Sequence, residues 1–293
     1  MHASLLSFLG IQCYGVFLVL ALGCGWWLAR RRADRFGIPR WHIDWLSPLL
    51  LLSIALGSTL GGKVSQLLTH DRANDRVLYG ALLAAVGMAI VYGLVTRIPL
   101  GRLLDAFTFS FLFGVAVLRV GCFQAGCCWG DICAPPERLA TVDDPNWLRQ
   151  VQTIPAMCGR NWPLQTTYAA GSPAYRQQAA AGVLSSGAQR SLPVHPVQLY
   201  ESVVVLLLLA VLIWIDRRLM RWGESFALCA LGYAVVRFNI EWFRADNSLV
   251  VGSLTLPQLA SILCAGVCAA ALVSRAWLAR NGHPKLYRTT SGK

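Results

Sequence analysis

The sequence of 293 residues is 56% hydrophobic and only 14% charged, and its mean hydropathy is +0.51. Several apolar runs reach the about 18 residues that cross a bilayer, which excludes an ordinary soluble protein and predicts a polytopic membrane protein. A net charge of +12 would suggest nucleic-acid binding in a soluble chain. Here most basic residues lie between apolar runs, where topology and anionic lipid explain them, so we predict no nucleic-acid partner.

The apolar runs predict an all-α membrane protein, a bundle of about seven transmembrane helices forming a single polytopic domain over residues 1–293. A long segment between the fourth and fifth helices, residues 120–194, is rich in Pro, Trp, Gln, Ala and Ser. It predicts a small irregular head. We place the seven spans at residues 8–29, 46–68, 77–95, 103–119, 196–215, 225–242 and 256–278.

Basic residues predict the orientation of these spans. The short loops after the first, third and fifth spans and the C-terminal tail hold most of the lysines and arginines that lie near a span. Basic loops stay on the cytoplasmic side of a membrane. We therefore expect the amino terminus outside, the carboxy terminus in the cytoplasm and the head, residues 120–194, outside.

This orientation brings polar residues from several spans to the outer membrane surface. Four cations and two carboxylates at that depth leave two positive charges, which suits an anionic lipid headgroup. Two tyrosines, Tyr14 and Tyr79, fall near the outer ends of the first and third spans. The six ionisable residues are Lys63, Arg119, Glu201, Arg237, Glu241 and Arg244.

The sixth span carries a polar stripe of Tyr233, Arg237, Glu241 and Arg244, spaced by four, four and three residues. On a helix this spacing places all four on one face. One interpretation is an internal ion pair between Arg237 and Glu241 that joins helices. The other is a headgroup site. Arginine can hold two phosphate oxygens at once, and the two arginines of the stripe outnumber its one glutamate, which leaves a positive charge for a ligand.

Two glycine-containing patterns bear on the chemistry and on the packing. Arg119 ends an apolar run, and the glycines, cysteines and aromatic residues of 120–130 that follow it predict a loop. An arginine at a membrane edge needs an anionic partner or water, and we expect Arg119 to hold a phosphate. The second pattern, Gly57 and Gly61 on the second span, is typical of close helix packing.

The stretch from His195 through Pro196, Gln198 and Tyr200 to Glu201 opens the fifth span. Proline suits the first turn of a helix, so one interpretation is a capping and packing device. The other makes His195 or Glu201 a proton acceptor, or a partner that orients an arginine.

Five cysteines lie in the predicted external head, where oxidation is possible. Their spacing matches no familiar zinc pattern, so we predict one or two disulfides and no metal. A free, nucleophilic cysteine remains open. The five are Cys122, Cys127, Cys128, Cys133 and Cys158.

Three of these motifs together resemble the prolipoprotein diacylglyceryl transferases of bacteria. The signature loop is similar to the stretch from Arg119 to Trp129-Gly130, and a second motif to His195–Glu201. The penultimate span of the family resembles Gly232-Tyr233 through Phe243-Arg244. Weaker similarities are Tyr14-Gly15 and Gly61-Gly62-Lys63.

The resemblance implies transfer of a diacylglyceryl group from phosphatidylglycerol to the thiol of a lipobox cysteine, in the bacterial cytoplasmic (inner) membrane. The partners implied are phosphatidylglycerol and the signal-peptide segment of a prolipoprotein, with no metal or organic cofactor. Arg119 and Arg237 would hold the phosphate, and His195, Tyr79 or Glu201 would accept the thiol proton, with His195 favoured. The other residues implied for substrate binding are Tyr14, Lys63, Gly121, Gly130, Gln198, Tyr200, Tyr233, Glu241 and Arg244.

The sequence departs from the pattern of the family at several positions. Where the family has His-Gly-Gly-Leu, this chain has Tyr79-Gly80-Ala81-Leu82, and Leu118, Cys122 and Cys127 replace a glycine, an asparagine and an acidic residue. These changes indicate a divergent branch. They leave open a related transferase with a different acceptor, or a lipid-binding protein without catalysis.

Overall fold

The computed structural model describes residues 13–69, 74–133, 164–180, 182–184, 187–216, 218, 222–244 and 249–280. Within these ranges it contains eight α-helices and one antiparallel pair of short strands, β1 and β2. The helices are α1 (Cys13–Arg35), α2 (Arg40–Thr69), α3 (Asn74–Thr96), α4 (Leu100–Ala125), α5 (Pro173–Ala180), α6 (Val197–Asp216), α7 (Glu224–Glu241) and α8 (Leu256–Arg280). The strands are β1 (Leu249–Val251) and β2 (Leu254–Thr255).

The predicted all-α membrane fold is confirmed. Seven long helices, α1 to α4 and α6 to α8, coincide with the seven predicted spans, and most ends agree within a few residues. Four helical stretches of the described chain are long and apolar enough to cross a membrane, and residues 80–96 form a shorter apolar stretch. The chain is therefore a multi-pass membrane protein. The four stretches are Arg40–Lys63, Leu100–Ala125, Val197–Asp216 and Leu256–Trp277.

Three helix ends differ from the prediction by six residues, and one of them is the start of α2, which begins at Arg40 and not at residue 46. α4 continues six residues beyond Arg119, so the predicted loop at 120–130 begins only at Gly126, which has a φ of +69° and reverses the chain. One glycine inside a long apolar helix does not end it, whereas a glycine in the left-handed region does. α1 continues to Arg35, so the four arginines of residues 30–35 lie on the helix, since arginine and alanine both favour helix.

The chain forms two compact units. The first unit comprises Met1–Leu22, Leu112–Ala210 and Leu231–Val267, and the second comprises Gly23–Phe111, Val211–Ala230 and Cys268–Lys293. In the first unit, the described part of the predicted head contains α5 and isolated bridges such as Ile132 with Val194. This composition of one short helix and isolated bridges agrees with the irregular structure expected for this segment.

The second unit contains a buried polar network that no local sequence pattern predicts. Asp105 accepts hydrogen bonds from the backbone N–H groups of Gly223 (2.6 Å) and Phe226 (2.9 Å), and so caps the start of α7. Arg32 pairs with Asp216 through two hydrogen bonds of 3.0 and 3.2 Å. Arg32 and Asp216 are both almost fully buried, and each compensates the charge of the other.

Glycines hold α2 and α3 together, as the GxxxG pattern predicts. A Cβ atom at Gly57 would lie 2.4 Å from the carbonyl oxygen of Gly80, and one at Gly80 would lie 2.4 Å from that of Gly57. The same atom at Gly80 would lie 3.0 Å from the Cα of Gly61. Only residues without a side chain let the two backbones approach this closely.

We predict that Gly80→Leu destabilises the protein by about 1–3 kcal/mol, because the side chain meets backbone atoms that cannot move aside. The matched control is Gly87→Leu on the same helix, where a Cβ has no heavy atom within 4 Å. Thermal unfolding in detergent measures both variants. Equal midpoints for the two variants would contradict this account of the helix pair.

Candidate functional site

The first unit holds a buried carboxylate, Glu201, paired with an arginine of a different helix. The Nε of Arg119 on α4 lies 2.8 Å from Oε2 of Glu201 on α6. The hydroxyl of Tyr233 on α7 donates to Oε1 of Glu201 at 3.0 Å. Glu201 is only 1% exposed, so its charge needs these partners. Three helices thus fix the position of the Arg119 guanidinium.

A second buried carboxylate, Glu241 at the end of α7, contacts two arginines. Nη1 of Arg237 lies 2.6 Å from Oε2 of Glu241, and Nε of Arg244 lies 3.8 Å from the same oxygen. The hydroxyl of Thr255 donates to the other carboxylate oxygen, Oε1, at 2.8 Å. The polar stripe predicted from the spacing of α7 therefore forms, and the internal ion pair Arg237–Glu241 is present.

The two ion-pair groups together carry a surplus positive charge. Three arginines face two carboxylates, and the carboxylates are buried whereas the side chains of Arg119 and Arg237 are 17% and 12% exposed. The arginine side chains, not the carboxylates, therefore keep the exposed surface of these two groups. Lys63, which we also expected to contribute, lies exposed on α2 in the second unit.

Backbone hydrogen bonds join the turn after α4, residues 126–131, to the segment that precedes α6. The N–H of Gly130 donates to the carbonyl of His195 at 3.0 Å, and the N–H of His195 donates to the carbonyl of Asp131 at 3.0 Å. A Cβ at Gly130 would lie 2.3 Å from a methyl group of Val197. Gly130 is thus required for close packing, which accounts for its place in the motif without a substrate contact.

The side chain of His195 lies in a buried aromatic environment. The residue is 4% exposed, its Nδ1 lies 3.3 Å from the hydroxyl of Tyr200, and its ring meets the edge of Phe243 at 5.8 Å between centroids. Burial lowers the pKa of His195 below its usual value of 6.5, so the imidazole is neutral at pH 7. A neutral imidazole can accept a proton.

Gln198, expected to bind substrate, holds the turn after α4 in place. Its Nε2 donates to the carbonyl oxygen of Cys127 at 2.7 Å and to the hydroxyl of Tyr168 at 3.1 Å. Gln198 is 1% exposed, so these contacts account for its position. Tyr168 belongs to the predicted head and was not singled out from the sequence. Burial raises the pKa of Tyr168 to about 12, so the phenol stays protonated and can donate.

The cysteines of the turn divide into two kinds. Cys133 is disulfide-bonded, which confirms the prediction of a disulfide in the head, whereas Cys122, Cys127 and Cys128 are not. The sulfur atoms of Cys122, Cys127 and Cys128 lie within 4.8 Å of one another. Spacing did not reveal this cluster because Cys122 lies on the last turn of a helix. Cys158 lies outside the described residues.

Of the two tyrosines expected near the site, the structure describes the side chain of only one. Tyr14 on α1 is 37% exposed, and its ring lies against α4, because a Cβ at Gly121 would be 3.4 Å from Tyr14 Cδ2. The same Cβ would be 2.9 Å from the Cβ of Phe17, so Gly121 also serves close helix packing. The backbone of Tyr79 belongs to α3, but its side chain is outside the described residues.

Sequence reasoning missed Thr255 and Gln258, which support the Glu241 group. The carbonyl oxygen of the Gln258 side chain accepts a hydrogen bond from the N–H of Thr255 at 3.0 Å. Both residues are buried. The signal was present, because Thr255 and Gln258 have the spacing of a capping box immediately before an apolar helix.

Comparisons with known proteins agree over most of the chain. A family model described as prolipoprotein diacylglyceryl transferase matches residues 2–274. A phosphatidylglycerol–prolipoprotein diacylglyceryl transferase of Symbiobacterium thermophilum is 27% identical over 282 residues, covering 93% of this chain and 90% of that protein. Proteins of the same name from Clostridium tetani and Vibrio vulnificus are 24% and 25% identical. The match to the Clostridium tetani protein covers 89% of this chain and 93% of that protein, and the match to the Vibrio vulnificus protein covers 94% and 90%.

We predict that Asp131 makes stability depend on pH. Burial raises the pKa of Asp131 from 3.8 to about 6, so the folded state binds more protons than the unfolded state between these values. The free energy of unfolding therefore falls as pH rises from about 4 to about 6, by about 3 kcal/mol at about 1.4 kcal/mol per pKa unit.

Asp131→Asn should remove this fall, because an amide side chain does not titrate. Its oxygen can still accept the 2.7 Å hydrogen bond from the N–H of Ile132, so the local structure is kept. Chemical denaturation in detergent at pH 4, 5, 6 and 7 measures the free energy of unfolding at each pH. Asp44, a partly exposed residue that is changed to Asn, is the control that keeps the pH dependence. A fall that persists in Asp131→Asn would assign the titration to another group.

Proposed function

The chain belongs to the prolipoprotein diacylglyceryl transferase family, and we propose that it transfers the diacylglyceryl group of phosphatidylglycerol to the thiol of a lipobox cysteine in a prolipoprotein. The named relatives, which match about nine-tenths of their own length, support this activity. The site proposed for it is formed by the two groups of ion pairs in the first unit. The observation that carries the proposal is that two buried carboxylates fix two arginines whose side chains remain partly exposed.

The reaction is a displacement at a CH₂ group of glycerol. The sulfur of the acceptor cysteine forms a bond to this carbon, and the bond from the carbon to the phosphate oxygen breaks. Glycerol phosphate leaves with the electron pair, and the thiol proton passes to a base. Such a step requires charge neutralisation on the departing phosphate and alignment of both substrates at the membrane surface.

Arg119 and Arg237 neutralise the phosphate in this proposal. Each guanidinium has five N–H donors, and Glu201 and Glu241 engage only part of that set. The buried carboxylates hold the guanidinium groups in place before substrate binds, so little reorganisation accompanies the reaction. Arg244, which is 3.8 Å from Glu241, adds the third positive charge of the site.

His195 is the proton acceptor that this geometry favours. Glu201 already pairs with Arg119 through one carboxylate oxygen and accepts a hydrogen bond from Tyr233 through the other, so both of its oxygens are engaged. The imidazole of His195 is neutral at pH 7, which is the protonation state a base requires. Glu201 then acts by orienting Arg119, and Tyr79 stays an expectation from the family pattern.

The remaining residues are assigned by their surroundings. Tyr14, partly exposed beside Gly121, contacts the lipid headgroup region in this proposal, and Lys63 attracts anionic lipid to the surface. Tyr200 orients His195 through its hydroxyl. We further propose the bacterial cytoplasmic (inner) membrane, with the amino terminus and residues 120–194 outside and the carboxy terminus in the cytoplasm, from the distribution of basic residues.

We predict that Arg119→Ala and Arg237→Ala each lower transfer by at least about 100-fold, as loss of one preorganised donor does in other enzymes. The purified protein is incubated with phosphatidylglycerol and a lipobox peptide, and both glycerol phosphate release and peptide mass are measured. His195→Gln is assayed beside them, and a loss of about 100-fold or more is expected for a proton acceptor. The matched control is Arg31→Ala, an exposed arginine of α1 that stacks on Trp27.

The outcomes separate the possible functions once each variant is shown to elute as a folded protein. Release with peptide modification that is lost in the arginine variants supports the transferase and its phosphate site. Release without peptide modification would point to a different acceptor. Bound lipid with no release at all would contradict catalysis, and full activity of His195→Gln would exclude that residue as the base.

A further inference from the structure

The turn after α4 brings three cysteines of the first unit together. Cys122 lies on the last turn of the helix, and Gly126, with a φ of +69°, reverses the chain immediately after it. The N–H of Cys127 donates to the carbonyl of Cys122 at 3.1 Å, which closes the turn. Cys127 and Cys128 therefore fold back beside Cys122, and the three sulfur atoms lie within 4.8 Å of one another.

The turn is held in this form by contacts from other segments. Gln198 donates to the carbonyl of Cys127 at 2.7 Å, and the ring of Tyr168 packs against Gly126. Cys128 has a φ of +58°, a conformation that residues other than glycine rarely adopt. This backbone conformation persists only where the surroundings enforce it. The arrangement of the three sulfurs is thus fixed by the fold.

We propose that Cys122, Cys127 and Cys128 form a three-thiolate binding site for zinc(II). Thiolates bind zinc at about 2.3 Å, and tetrahedral geometry then places the sulfurs about 3.8 Å apart, within the separation observed here. The three sulfurs already lie within 4.8 Å of one another, so small side-chain rotations bring all three to one ion. Cys122 is buried and the other two are half-buried, which leaves the site accessible from one side.

Charge favours zinc(II) over copper(I) at this site. Three thiolates and zinc(II) leave one negative charge, whereas copper(I) would leave two. Arg119 and Arg244 both interact electrostatically with Cys128, and both are also close to the carboxylates of Glu201 and Glu241. With Arg237 included, three arginines face two carboxylates, and their one surplus positive charge matches the single negative charge of the zinc complex. Among the described residues the cluster has three ligand residues, so an external ligand completes the coordination.

A disulfide within the cluster is the competing use of these thiols. In the same segment Cys133 is disulfide-bonded, whereas none of the three clustered cysteines is. Three sulfurs that lie within 4.8 Å of one another can share one ion, whereas a disulfide would join only two of them and leave the third out. The zinc site does not rest on the proposed transfer activity, because binding of the ion is measured without lipid or peptide.

The test is zinc binding to the full-length protein, purified in detergent under anaerobic conditions that keep thiols reduced. One equivalent of zinc per chain is expected after chelator treatment, zinc addition and removal of excess, measured by elemental analysis. Cys127→Ser and Cys128→Ser should each weaken binding by at least tenfold. Cys264→Ser is the matched control, because Cys264 is an exposed thiol on α8 outside the cluster.

Two further measurements keep the test decisive if a serine variant fails to fold. Cobalt(II) added to the wild-type protein should give sulfur-to-metal charge-transfer absorption, and zinc should protect three thiols from alkylation, counted by mass spectrometry. Zinc content below one-tenth of an equivalent in the wild type would overturn the proposal. So would equal zinc in Cys127→Ser and the control, binding of copper(I) alone, or a disulfide between two of the three cysteines in the reduced preparation.

Discussion

The pairing of Glu201 and Glu241 with arginines is the interaction on which the site depends. A carboxylate that is fully buried in an apolar bundle is costly unless a cation and hydrogen-bond donors compensate it. Arg119 and Tyr233 serve one carboxylate, and Arg237 and Thr255 serve the other. Removal of one partner from a buried pair costs about 3–5 kcal/mol, so the guanidinium groups are held firmly. The same pairing leaves part of the Arg119 and Arg237 side chains exposed, whereas the two carboxylates are buried.

The second constraint is the join between the turn after α4 and the start of α6. Gly130, Asp131 and His195 exchange backbone hydrogen bonds, and Gly130 has no space for a side chain. Gln198 ties the same turn to Tyr168. Two motifs that are more than sixty residues apart in the sequence thus form one structural unit. This accounts for glycine and glutamine at positions that resemble substrate contacts when only the sequence is read.

The sequence predicted the helices well and the polar contacts unevenly. Apolar runs gave seven spans close to the observed helices, and the regular spacing on α7 gave the pair Arg237–Glu241, because both are local properties of the chain. The contact between Arg32 and Asp216 joins residues 184 positions apart, and no local pattern carries that information. The cysteine cluster was missed because its formation depends on where α4 ends, and helix ends are poorly encoded in an apolar sequence.

Binding of phosphatidylglycerol to the purified protein, detected by native mass spectrometry, tests most directly whether Arg119 and Arg237 hold the phosphate. The Arg119→Gln and Arg237→Gln variants and the double variant are compared with wild type at equal lipid. Each single variant is expected to bind at least tenfold more weakly, and the double variant to retain no bound phosphatidylglycerol, with unfolding midpoints that show a folded protein. Undiminished binding by the folded double variant would contradict the assignment of these arginines to the phosphate.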